Sequence, residues 1–92
     1  MSNIILNNNN YRLIENIDNC FSLDDVKEKV TDYFNDFDYI FGDIAYDKVR
    51  LKGFYDSSNK KVKKINDIAL LDDYKSNFCN YGSRTFLLKK IK

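Results

Sequence analysis

The stretch GDIAYDKVRLKGFYD, residues 42–56, decides how the chain is read. Side chains of a β-strand alternate between its two faces. Taken as a strand, the stretch sets Tyr46, Lys48, Arg50, Lys52 and Phe54 on one side and Val49, Leu51 and Tyr55 on the other. The second set is apolar enough to face a core. The first is a short basic stripe bounded by two aromatic rings, and it is the surface feature that points to a partner.

Working outward, DYIFGD, residues 38–43, reads as a strand ending near Gly42. So short a spacing implies an antiparallel neighbour, with Gly42-Asp43 as a bulge or turn. Residues 56–59, Asp-Ser-Ser-Asn, form a polar turn, and Lys60, Lys61, Lys63 and Lys64 follow as a solvated loop or an edge strand. Near the start, the apolar run Asn3 to Leu6 stops at four consecutive Asn, residues 7–10. Asn tolerates positive φ, so the tetrad reads as a hairpin connection to a second strand at Tyr11 to Ile17, whose alternation Ile14 interrupts.

Two helices complete the pattern. One opens at Ser22 with an S-x-x-D capping pattern through Asp25 and a Phe21–Val26 staple. Its apolar stripe runs through Leu23, Val26, Val30, Tyr33, Phe34 and Phe37. The other spans about Ile68 to Cys79, capped by Asn66 or Asp67, with Leu71, Tyr74 and Phe78 on one side and Gly82 as its stop. A last strand, Thr85 to Ile91, carries Phe86, Leu87 and Leu88 in succession, as a strand covered on both faces does. The expected fold is a single α+β domain over residues 1–92, mainly antiparallel, in the order β-β-α-β-β-α-β, with residues 1–10 as a peripheral strand and Asn-rich loop.

Composition narrows the chemistry. Ninety-two residues suit one small core, and seven Tyr and seven Phe can fill it without a disulfide or metal staple. The chain has no His, which removes the triad and Cys-His arrangements and the commonest metal ligand. Its two Cys, Cys20 and Cys79, cannot complete a zinc site and read as buried thiols kept reduced in a cytosol. No run of residues is long and apolar enough to span a bilayer. No cofactor, metal or membrane partner is expected. Charge is uneven: residues 1–45 hold 3 Lys plus Arg against 9 Asp plus Glu, and residues 46–92 hold 12 against 5. This polarity fits either an anionic partner or pairing between two halves of one fold.

Two segments, FDYIFGDIAYDKVRLKGFYD at residues 37–56 and LDDYKSNFCNYGSRTFLL at residues 71–88, resemble the YutD-like family of small bacterial proteins from low-GC Gram-positive lineages. The positions that carry the resemblance are Gly42, Asp43, Tyr46, Arg50, Leu51, Lys52, Gly53 and Phe54, then Cys79, Asn80 and Gly82. Ile44 and Ala45 stand where a Trp-Gly pair is usual, and Ser83 where a second Cys is usual. The resemblance implies the fold more than an activity, with a hint of a regulatory role.

Three functions then stand side by side. In a nucleic-acid-binding domain, Lys48, Arg50 and Lys52 would meet phosphates, Tyr46 and Phe54 would stack on RNA or DNA bases, and Lys60, Lys61, Lys63 and Lys64 would extend the contact. In a protein-interaction module, an acidic helix or a strand edge would dock a protein partner. An enzyme would have to rely on Asp43 and Arg50 beside Tyr46, although those two residues equally suit an ion pair that locks a hairpin. The reading taken is a non-catalytic binding or regulatory domain of the bacterial cytosol, with its oligomeric state open.

Overall fold

Asn7 and Asn8 set the first hairpin. Both adopt positive φ, 50° and 65°, which Asn accommodates at little cost, and this twist suits a two-residue hairpin turn. In the computed structural model, which describes residues 3–45, 48–78 and 84–91, this turn joins β1 (Asn3–Leu6) to β2 (Asn9–Asn16). The Asn7 and Asn9 side chains donate to Asn35, and Asn7 also to Asp32, so the turn is tied to a distant loop. β2 therefore begins two residues earlier than the Asn tetrad suggests. The interrupted alternation at Ile14 is a β-bulge, marked by a register shift between Leu13 and Glu15 against the last strand.

Five strands form one antiparallel sheet in the order β1-β2-β5-β3-β4, with β3 at Tyr39–Ala45, β4 at Lys48–Phe54 and β5 at Arg84–Lys90. The domain is α+β, in the expected order of strands and helices. β5 lies at the centre, and Thr85, Phe86, Leu87 and Leu88 are all buried because both faces of the sheet are covered. On one face Phe86 and Leu88 pack with Ile4, Leu6, Tyr11 and Ile40. On the other Leu87 packs with Phe41, Phe54 and Leu71.

The first helix is shorter than its apolar stripe. α1 spans only Leu23–Lys27, and a single 3-10 turn follows at Asp32–Phe34. Ser22 occupies the N-cap position without a side-chain cap bond. Val30-Thr31 is a β-branched pair, Thr31 is extended, and Asp32 is held by Asn7, so the segment bends instead of extending the helix. Val26, Val30, Phe34 and Phe37 still reach the core, which explains the helical spacing. The second helix keeps nearly its expected position: α2 covers Leu71–Phe78 after a 3-10 turn at Ile68–Leu70, which Asp67 caps by accepting from the Ala69 N–H.

Gly42 and Asp43 are neither bulge nor turn, since β3 runs straight through them in register with β4 and β5. A Cβ on Gly42 would lie 2.1 Å from Cζ of Phe86, and one on Gly53 would lie 2.3 Å from the Phe37 ring. Each glycine leaves the space in which an aromatic ring rests against the sheet. The β3–β4 connection, residues 46–47, lies outside the described residues, and so do Tyr46, Cys79, Asn80, Tyr81, Gly82 and Ser83.

Candidate interaction surface

β4 is an edge strand, and its register fixes which residues share a face. Asp43 lies opposite Arg50, Phe41 opposite Lys52, and Tyr39 opposite Phe54. Lys48, Arg50, Lys52 and Phe54 therefore share the face that α2 partly covers, while Val49, Leu51 and Tyr55 pack into the core on the other.

The stripe does not stay open along its length. Arg50 forms a two-pronged pair with Asp43, Nε to Oδ1 at 3.0 Å and a terminal nitrogen to Oδ2 at 2.6 Å. The Asp43 carboxylate is almost wholly buried while Arg50 is half exposed, so the pair clasps the hairpin from its outer side. Phe54 is only 1% exposed, and its ring meets Phe41 and Tyr74 edge to face. A buried ring offers no face to a nucleic-acid base, because α2 brings Leu71 and Tyr74 down upon it. Lys52 is half-buried, with Nζ 5.3 Å from the centre of the Phe54 ring and 5.4 Å from that of Tyr74. Lys48 remains exposed.

Lys60, Lys61, Lys63 and Lys64 lie exposed on a loop that ends in a 3-10 turn at Lys64–Asn66. Asp38 anchors the start of this loop: its buried carboxylate accepts from the Asp56 N–H at 2.8 Å and from Asn59 at 2.9 Å. Asp56 in turn accepts from the N–H and hydroxyl of Ser58, which holds its carboxyl below the ordinary value of 3.8. Salt bridges join the acidic and basic halves of the chain: Asp43–Arg50, Asp36–Lys61 and Glu15–Lys75 each link residues 1–45 to residues 46–92. Internal pairing thus uses part of the polarity seen in the sequence.

Between β4, the lysine loop and α2 lies a groove of about 490 Å³, walled by Lys52, Phe54, Lys64, Ile65, Leu70 and Tyr74, with Asp73 at its helical side. Ile65 is 72% exposed and Leu70 38%. Ile65, Leu70 and Tyr74 were not singled out as surface residues by sequence reasoning. The available signal was an isoleucine set between Lys64 and Asn66, in a loop with no strand or helix periodicity to bury it. A second cavity, about 560 Å³, opens where Arg12, Tyr39 and Lys89 share one face of the sheet, but Asp38 and Asp56 give its walls both signs of charge.

A family model described as "Putative antitoxin YutD-like" matches residues 5–89. The chain belongs to the YutD-like family. One relative, described as "Putative antitoxin YutD" of Bacillus subtilis (strain 168), is 37% identical over 89 residues, covering 97% of this chain and 98% of its own. The solution NMR structure of protein yutD from B. subtilis superposes with a TM-score of 0.81 at 36% identity, over 100% of this chain and 84% of that one. Among the described residues of this YutD-like chain, no group of three or more Cys, Asp or Glu is placed to hold a metal ion. Nor is any helix there long and apolar enough to cross a membrane.

Proposed function

We propose that this YutD-like domain is a non-catalytic, protein-binding accessory module that acts as an antitoxin by docking on a protein partner. The family and its B. subtilis relative, both described as "Putative antitoxin", supply the class of role. The observation that carries the reading is the pair Ile65 and Leu70, apolar and exposed beside the half-buried Tyr74 at the mouth of a groove. Apolar side chains gathered at a concave surface favour a protein contact, because burying them against a partner removes them from water.

The nucleic-acid reading retains the exposed Lys48, Lys60, Lys63 and Lys64, but loses the ring of Phe54 and shares the guanidinium of Arg50 with Asp43. The two readings separate in one experiment. Tagged chain recovered from bacterial cells is washed with nuclease, and single-stranded RNA is titrated against the purified chain at low and high salt. A retained protein, together with no salt-dependent RNA association, is the expected result. Loss of every partner on nuclease treatment would overturn it.

A further inference from the structure

The groove between β4 and α2 also specifies what kind of segment it takes. We infer that it seats an apolar side chain flanked by a carboxylate, presented by a segment of the protein partner; this rests on the protein-binding reading above. Lys52 carries the argument. Its ammonium lies over the rings of Phe54 and Tyr74, and among the described residues no carboxylate comes within 4.0 Å of it. Ring faces attract a cation but do not neutralise it. The half-buried charge is therefore left for an incoming anion to complete.

The rim repeats that sign. Lys64 lines the same groove, and Lys60 and Lys63 extend the positive field along the loop, whereas Lys61 is engaged by Asp36. Asp73 stands on the α2 side and repels a carboxylate there, so the acidic group enters along the Lys52–Lys64 wall. Ile65 and Leu70 then form the lip against which the apolar side chain packs. Nucleic acid fits this site poorly. The Tyr74 ring already meets Phe41 and Phe54 edge to face and has the Lys52 ammonium over it, so a base stacking there would have to displace that cation.

The test is selection of a random library of peptides of about 16 residues, long enough for a helix of several turns, on the full-length chain. Enriched sequences are expected to carry Asp or Glu within one helical turn of Leu, Ile or Phe. Their affinity is expected to fall about tenfold in Lys52→Met, which keeps the apolar stem, and similarly in Ile65→Asp. Both variants are first matched to the parent by NMR spectrum. Absence of enrichment, enrichment without acidic residues, affinity indifferent to both variants, or displacement of the peptides by single-stranded RNA would each overturn the assignment. If a nuclease-resistant protein stays bound to both variants as it does to the parent, the protein-binding reading survives and the groove is not its seat.

Discussion

Replacing Gly42 by Ala adds one methyl group at the point where the sheet and its aromatic cover touch. The new Cβ would lie 2.1, 2.5 and 2.6 Å from three carbons of the Phe86 ring, against the 3.4 Å of ordinary contact. The ring, itself fully buried and set edge to face against Phe21, must retreat by about 1.3 Å into a filled core. Overpacking of this kind costs about 1–3 kcal/mol, and the severity of the overlap places this site near the upper end. Against it stands the ordinary gain of Ala over Gly inside a strand, roughly 0.5–1 kcal/mol. The net loss is about 2 kcal/mol, equivalent to a fall of roughly 8–16 °C in Tm for a domain of this size. Urea unfolding followed by circular dichroism should show a lower midpoint with an unchanged slope. In a Phe86→Leu background, where the overlapped ring carbons are gone, the same substitution should cost at least about 1 kcal/mol less. A Gly42→Ala protein as stable as its parent, or the same cost in both backgrounds, would refute the packing account.

Other outcomes follow from single contacts. Tyr11→Phe should be neutral or stabilise by up to about 1 kcal/mol in urea unfolding, because the buried Tyr11 hydroxyl has no hydrogen-bond partner among the described residues. Burial also pushes that phenol above its usual 10.0, so ultraviolet titration should find one tyrosine ionising late. Because Arg50 is itself half exposed, Arg50→Ala should cost about 1–3 kcal/mol by removing the two-pronged cation from the buried Asp43 carboxylate, yet partner retention by the folded variant should be unchanged. Because Asp56 has a depressed carboxyl pKa in the folded state, its stabilising contribution is present above pH 3.8 and fades as pH falls below it. In Ser58→Ala the Asp56 carboxyl, followed by NMR, should move up towards 3.8.

The sheet was legible because its signals are local. Asn7-Asn8 prefers the left-handed turn, alternation along residues 48–54 assigns faces, and three successive apolar residues at 86–88 mark a strand covered on both sides. The extent of α1 was not legible. The spacing of Val26, Val30, Phe34 and Phe37 meets the core equally well from a helix or from two short turns, and the bond from Asn7 to Asp32 that favours the turns joins residues 25 apart. Gly42 looks like a turn residue until Phe86 is placed against it, and nothing local to Gly53 signals that the Phe37 ring rests there.

The surface was legible only in part, for a similar reason. The Asp43–Arg50 pair follows from a hairpin register, which sequence can propose. Whether the Lys48–Phe54 face lies open depends on where α2 rests, and that position is set by contacts such as Lys75 with Glu15 and Leu71 with Phe54, far apart in the chain. The cation stripe is therefore divided among an ion pair, two ring faces and solvent, and the groove appears only once helix and strand are together.

The central claim, a domain that works by holding a protein, is tested most directly by native mass spectrometry of the full-length chain purified from its own cells after nuclease digestion. The account predicts a complex of fixed stoichiometry between this chain and a second protein, dissociating when Ile65 is replaced by Asp. A spectrum of free chain alone, or of chain carrying only nucleic-acid fragments, would contradict it.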